Sequence, residues 1–70
     1  MNALELINIG SSKLKIKQIG SHKLDSEILL SKVLNKRREE ILVNLDQMIM
    51  PEKISRFNKL INRRSNNEPI

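Results

Sequence analysis

The chain has 70 residues, no cysteine and a formal net charge of +5, so it forms one small domain near the lower size limit for a self-supporting core. Without cysteine neither a disulfide nor a thiolate metal site can form, and the single His22 lacks the partners that a zinc site requires. The longest apolar runs are too short to span a bilayer and Met1 is followed by no export signal, so we expect a cytoplasmic protein without membrane contact.

The basic excess is confined to the two ends of the sequence. Residues 1–19 carry +2 and residues 51–70 carry +3, whereas the segments between them are neutral. Such a distribution suits an acidic partner that meets the first and last segments. Phe57 is the only aromatic residue, so the chain lacks the stacking surface with which proteins bind single-stranded nucleic acid, and nucleic acid is disfavoured as a partner.

Helical periodicity dominates the first segment, although residues 13–19 alternate as a strand would. No second alternating segment exists to pair with a strand, so we predict a helix over residues 2–19. Gly10 weakens its centre and suggests a close helix crossing or a bend. Ile9 and Ile16 fall on the polar side, either as an interface stripe or with a bend that turns Ile16 inward. The predicted inward face consists of Ala3, Leu4, Ile7, Ser11, Leu14 and Gln18.

The second predicted helix runs from about His22 to Leu34 after a Gly20-Ser21 turn with Ser21 as N-cap. It is apolar on two sides, which is typical of the central helix of a bundle. Asp25 and Lys32 are left on its narrow polar edge, with Glu27 beside them. The two apolar surfaces are formed by Leu29, Leu30, Val33 and Leu34, and by Leu24 and Ile28.

A short third helix is predicted from Arg37 to about Asn44, with Ile41, Leu42 and Leu45 packed inward. In the connection that follows, Met48 and Met50 are expected to fill gaps in the core. Pro51 suits the first position of a fourth helix. The inward stripe of that helix is Ile54, Phe57, Leu60 and Ile61, and Asn67 and Pro69 are expected to end it. The fold class is therefore all-α, a small bundle of four main helices.

No constellation in the sequence supports catalysis, cofactor binding or metal binding. There is no glycine-rich phosphate loop and no histidine placed with a nucleophile and an orienting acid. Asp25 and Glu27 are two residues apart, so on a helix their side chains point in different directions. His22 is expected to be an exposed residue of a first helical turn.

Two sets of basic residues on the fourth helix differ in their surroundings. Arg56, Lys59 and Arg63 share the face opposite the apolar stripe, which is either a solvated surface or a face that binds an acidic partner. Arg64 instead falls within the apolar arc, where an unpaired charge would be costly. We therefore expect Arg64 to form a structural ion pair with Asp25 or Glu27.

Two stretches together resemble one enzyme family. The Leu-Asp-Ser-Glu-Ile-Leu-Leu run that begins at Leu24, and the tail with Arg63-Arg64 followed by Glu68-Pro69-Ile70, are similar in order and spacing to the N-terminal helical domain of the HemK/PrmC family. That family methylates a glutamine of peptide chain release factors. Arg37, residues 10–12 and Asn67 depart from its pattern, at a helix cap, an alanine-rich stretch and a glycine position.

The resemblance implies that residues 1–70 are a release-factor-recognition domain without catalytic residues. Its own C-terminal methyltransferase domain, a Rossmann-like fold, would bind S-adenosylmethionine and carry an Asn-Pro-Pro-Tyr motif, both beyond Ile70. The partner would be a peptide chain release factor, oriented by the helical domain. The basic faces of the first and fourth helices are the expected contact.

Two other functional classes remain open from the residues alone. A free-standing basic module could bind nucleic acid or the ribosome through a helix-turn-helix formed by the second and third helices. Glu39 and Glu40 beside Arg37 and Arg38 make the would-be recognition helix nearly neutral, which argues against phosphate contacts. A helical dimerisation domain could instead use the stripe of Ile9 and Ile16.

Overall fold

The computed structural model describes residues 1–66, which fold into four α-helices. They are α1 Ala3–Ile16, α2 His22–Leu34, α3 Arg38–Leu42 and α4 Pro51–Ser65. The predicted all-α fold of four helices is confirmed. The expected roles of Asn67 and Pro69 in ending the last helix lie outside the described residues.

Helix α1 begins with a reciprocal cap and ends earlier than predicted. The Glu5 backbone N–H donates to Asn2 Oδ1 at 2.9 Å, and the Asn2 N–H donates to Glu5 Oε1 at 2.9 Å. The helix ends at Ile16 because Gln18 adopts a left-handed conformation with φ 62°. The Ile19 N–H then bonds the Leu14 carbonyl at 3.1 Å and the Ile19 side chain enters the core. Residues 13–16 are therefore helical, and the chain turns at residue 18.

The buried face of α1 differs in part from the predicted one. Leu4 is 44% exposed and Gln18 is exposed, whereas Leu6, which was not predicted to face inward, is buried. The prediction counted Leu4 and Ser11 as inward, and around the helix these two residues lie on the side of Ala3 opposite to Leu6. Ile16 is 78% exposed because it lies on the side of α1 opposite the buried residues, so the alternative of a bend that turns it inward is wrong. The buried residues of α1 are Ala3, Leu6, Ile7, Gly10 and Leu14.

Gly10 allows the close helix crossing that the sequence suggested. A Cβ atom at this position would lie 2.6 Å from Ser26 Oγ, 2.8 Å from Ile61 Cδ1 and 2.8 Å from Phe57 Cζ. These atoms belong to α2 and α4, so α1 contacts both helices at one point. Only a residue without a side chain fits there without displacing fully buried neighbours.

Helix α2 has the predicted bounds and lies at the centre of the bundle, in contact with all three other helices. Six of its 13 residues are buried, against five of 14 in α1 and two of 15 in α4. Leu30 is fully buried, and Leu29 and Val33 nearly so. Leu24, predicted to belong to a second apolar strip, is 43% exposed. The helix buries the largest fraction of its residues among the four helices, as predicted, but three of its buried residues are polar and the predicted second apolar strip is not buried.

Three consecutive polar residues in the first half of α2, Asp25, Ser26 and Glu27, are buried, and we call them the buried polar triplet. Ser26 Oγ donates to the Ile7 carbonyl of α1 at 2.8 Å. Arg64 of α4 donates from Nε to Asp25 Oδ2 at 3.0 Å. Arg38 of α3 donates from Nε to Glu27 Oε1 at 2.8 Å. The expectation that Asp25 and Glu27 lie on a polar edge is wrong, because α3 and α4 cover that edge and supply arginine partners.

The connection between α3 and α4 runs antiparallel to the start of the chain. The Ala3 N–H bonds the Gln47 carbonyl and the Ile49 N–H bonds the Met1 carbonyl, each at 3.0 Å. Successive side chains of an extended segment point to opposite sides. Ile49 therefore points into the core at 6% exposure, while Met48 and Met50 are 72% and 61% exposed. The prediction that the two methionines fill the core is wrong for this reason.

Helices α3 and α4 complete the bundle. Helix α3 is shorter than predicted, with Arg37 as its N-cap and Ile41 buried. Pro51 occupies the first turn of α4 as expected, and Phe57 and Ile61 are fully buried. Ile54 and Leu60 are partly buried and pack against the core. Within residues 1–66, no helix combines the length and the apolar character that crossing a membrane requires.

We predict that Gly10→Ala destabilises the domain by about 1 kcal/mol. Overpacking a well-packed core costs roughly 1–3 kcal/mol, and the better helix propensity of alanine offsets about 1 kcal/mol of that cost. Urea denaturation followed by circular dichroism measures the difference. Gly20→Ala is the matched control, because a Cβ at Gly20 meets nothing within 4 Å and its φ is not positive. Equal stability of the two variants would contradict the close crossing.

A second prediction concerns the ion pair between α2 and α4. Arg64→Ala is expected to lower the free energy of unfolding by about 1–3 kcal/mol, because Asp25, 6% exposed, would lose its charged partner. Ser21 Oγ also donates to Asp25 Oδ2, at 2.9 Å. Because Asp25 keeps this hydrogen bond when Arg64 is removed, we expect a loss in the lower half of that range. Arg56→Ala, at an exposed position of the same helix, is expected to leave stability nearly unchanged. Similar small losses in both variants would show that the pair is not stabilising.

Candidate functional site

The exposed side of α4 carries three basic residues that we call the α4 basic face: Arg56, Lys59 and Arg63. All three are exposed, and they lie opposite the buried Phe57 and Ile61. They line a shallow depression of about 260 Å³ together with the partly buried Leu60. The structure therefore brings the three predicted contact residues together around one apolar side chain.

The chemistry of this face suits recognition of an acidic surface. Arginine and lysine donate charge-assisted hydrogen bonds to carboxylates, and Leu60 offers an apolar surface between them. Among residues 1–66, no carboxylate lines this depression. The arginine, lysine and leucine side chains of this depression can bind and orient the carboxylates and an apolar group of a partner.

A second, larger depression of about 490 Å³ lies at the turn between α2 and α3, which the sequence did not single out. Asn35 ends α2 in a left-handed conformation with φ 54°, so the chain reverses and residues from both helices meet. An asparagine directly after the last periodic residue was the available signal. The lining residues are Ser31, Lys32, Asn35, Lys36, Arg37 and Glu40. Because a carboxylate lies among the cations, this surface is less favourable to an anion than the α4 basic face.

The predicted structural ion-pair residues occupy the interior rather than a binding surface. The structure places Arg64 against Asp25 and gives Glu27 a different partner, Arg38, which the sequence analysis missed. The side chain of Arg64 is 21% exposed and that of Arg38 is 42% exposed. Within residues 1–66, every buried side-chain nitrogen or oxygen atom has a hydrogen-bond partner. The buried carboxylates are therefore engaged by the protein itself and do not face a ligand.

His22 is partly buried, so the expectation of an exposed residue is wrong. Its Nδ1 atom lies 2.6 Å from Ser11 Oγ in a partly buried hydrogen bond that joins α1 to α2. The residue type of Ser11 gave no indication of this partner, which depends on the antiparallel arrangement of the two helices. Among the described residues, no group of three histidine, cysteine, aspartate or glutamate side chains is placed to hold a metal ion.

The chain is similar to a known family of protein domains and to several methyltransferases. The family model described as the PrmC N-terminal domain matches residues 5–70. A release factor glutamine methyltransferase of Clostridium botulinum is 41% identical over 66 residues, which is 94% of this chain and 23% of that protein. A bifunctional methyltransferase of Rickettsia conorii is 39% identical over 66 residues, 94% of this chain and 13% of that protein.

A release factor glutamine methyltransferase of Leptospira interrogans is 35% identical over 66 residues, again 94% of this chain and 23% of the relative. No solved structure matches the chain. The chain thus spans between about an eighth and a quarter of the length of these curated relatives. Because the family model covers nearly all of the sequence, the chain belongs to the PrmC N-terminal domain family.

Proposed function

We propose that this chain is the substrate-recognition domain of an S-adenosylmethionine-dependent methyltransferase that methylates the glutamine side-chain amide of peptide chain release factors. The observation that carries the proposal is the family match over residues 5–70, together with relatives named release factor glutamine methyltransferase. In this proposal a catalytic domain beyond Ile70 binds S-adenosylmethionine and carries out methyl transfer in the cytoplasm.

The contribution of the helical domain is positional. Its buried carboxylates are held by arginines, and its exposed basic face offers cations that can bind the carboxylates of a partner. Methyl transfer requires close alignment of the nucleophile with the donor, and fixing that alignment accelerates a reaction strongly. A domain that holds a large protein substrate in register therefore raises the rate without contacting the reacting atoms.

The α4 basic face is the proposed contact with the release factor. Its three cations lie on the exposed side of α4, and Leu60, which packs partly against the core, lines the same depression. Rim charges of this kind chiefly raise the rate of association and select partners of opposite charge. The expected partner surface therefore carries carboxylates near an apolar side chain.

The alternative of a nucleic-acid-binding module is less well supported. Helix α3 has only five residues, which corresponds to about 7.5 Å, too short to lie along a major groove as a recognition helix. Phe57 is fully buried and cannot stack on a base. Dimerisation through Ile9 and Ile16 keeps some support, since the two are 38% and 78% exposed, and sedimentation equilibrium of the chain would test it.

We predict that an enzyme lacking residues 1–70 loses more activity on intact release factor than on a short glutamine-containing peptide. The peptide needs only the catalytic domain, whereas the protein substrate also needs to be oriented. Steady-state kinetics on both substrates measures kcat/KM for the full-length and truncated enzymes. An equal loss on both substrates would show that the domain stabilises the catalytic domain and does not recognise the substrate.

A further prediction tests the α4 basic face within the full-length enzyme. The double variant Arg56→Glu, Lys59→Glu is expected to raise KM for release factor about tenfold at low salt, with kcat nearly unchanged, because it removes and reverses binding charges only. The comparison variant is Lys32→Glu, Lys36→Glu at the α2–α3 depression, which makes the same change in net charge. A larger effect from the comparison variant would assign the contact to that depression instead.

A further inference from the structure

One stretch of the sequence is basic without interruption by acidic residues. Residues 6–24 contain four lysines, Lys13, Lys15, Lys17 and Lys23, and no aspartate or glutamate. All four lysines are exposed, and we call them the turn-end lysines. They follow one another through the end of α1, the turn at residues 17–21 and the start of α2.

The tertiary structure brings the end of α4 to the same end of the bundle. The Ser11–His22 hydrogen bond places the second half of α1 beside the first turn of α2. The Arg64–Asp25 ion pair places the last turn of α4 beside that same first turn. Arg63, at the end of the α4 basic face, therefore belongs to the same end of the bundle as the turn-end lysines. Within residues 1–66 the carboxylate at this end is that of Asp25, which is buried and paired with Arg64.

The exposed carboxylates of the described residues lie at the opposite end. They occur in the first turns of α1 and α4, in α3 and in the connection after α3, at Glu5, Glu39, Glu40, Asp46 and Glu52. Helix α1, with 14 residues, is about 21 Å long. The Debye length at physiological ionic strength is about 8–10 Å, which is shorter than this helix. The exposed carboxylates at one end therefore do not neutralise the lysines at the other end. Within residues 1–66, the bundle thus has a basic end and a mixed-charge end.

Exposed apolar side chains lie among the turn-end lysines. Ile16, between Lys15 and Lys17 in the sequence, is 78% exposed, and Leu24, next to Lys23, is 43% exposed. In a surface that binds nucleic acid, lysines contact the phosphates and aromatic side chains stack on the bases, and aliphatic side chains between the lysines contribute to neither interaction. A protein surface with carboxylates around an apolar side chain matches both features.

We infer that this end of the bundle is a docking surface for an acidic region of a protein partner, with the turn-end lysines facing its carboxylates and Ile16 packing on an apolar side chain. The inference rests on the proposed function, and it assigns this acidic region to the release factor. It extends the contact from the α4 basic face across the turn between α1 and α2. The domain then meets its substrate with its basic end, and the mixed-charge end faces away.

Two charge-reversal variants of the chain, with equal changes in net charge, test this inference. Lys15→Glu, Lys17→Glu alters the last turn of α1 and the residue after it, whereas Lys32→Glu, Lys36→Glu alters the last turn of α2 and the residue after its left-handed cap. Both pairs lie at helix C-termini, so any loss of favourable interaction with the helix dipole is matched. Binding to purified release factor is measured by fluorescence anisotropy at about 50 and 300 mM salt, spanning roughly a twofold change in Debye length.

We expect the turn-end variant to weaken binding about tenfold or more at low salt and less at high salt, mainly by slowing association, while the α2 variant binds nearly as the unmodified chain does. Ile16→Ser is expected to weaken binding about equally at both salt concentrations, because it removes an apolar contact rather than a charge. Circular dichroism of each variant confirms that it is folded.

Equal effects of the two charge reversals would overturn the inference while leaving the proposed function intact, because the chain would still bind release factor. Failure of the unmodified chain to bind release factor would overturn the proposed function and the inference with it. Binding of a 20-base-pair RNA duplex that depends on the turn-end lysines, in the absence of release factor binding, would identify nucleic acid as the partner and would also overturn the inference.

Discussion

The buried polar triplet of α2 is the constraint on which the arrangement of the bundle depends. Ser26 bonds the backbone of α1, Asp25 is paired with Arg64 of α4, and Glu27 is paired with Arg38 of α3. A buried carboxylate is costly unless an opposite charge reaches it with good geometry. Packings that move α3 or α4 away from α2 therefore leave a carboxylate without its partner, and one central helix selects the positions of the other three.

The same triplet also shapes the outer surface. Burying Asp25 removes the carboxylate that would otherwise balance the lysines at the end of the bundle where α1 turns into α2. Glu27 is likewise withdrawn from the surface. The interior ion pairs thus stabilise the fold and at the same time leave a basic end exposed. The basic character of this surface is therefore a consequence of the ion pairs that hold the carboxylates of Asp25 and Glu27 in the interior.

Close packing at Gly10 determines which side of α4 faces outward. Phe57 and Ile61 of α4 approach the backbone of α1 at Gly10, and both are fully buried. Since residues three and four apart share a helical face, fixing these two side chains inward directs Arg56, Lys59 and Arg63 to the opposite side. The apolar contact at the crossing and the basic face are therefore two sides of one helix, and a change in the crossing would rotate the proposed contact surface.

The sequence by itself determined the helices, the bounds of α2, the inward stripe of α4 and the need for a carboxylate near Arg64, because periodicity and the cost of burying a charge are local properties. Only the tertiary structure decided that Asp25 and Glu27 are buried, since α3 and α4, distant in sequence, cover them. It also decided that Met48 and Met50 point outward, because their segment pairs with the start of the chain and alternates around Ile49. The separation of a basic end from a mixed-charge end within residues 1–66 was also decided by the tertiary structure, because it depends on which helix ends meet in space.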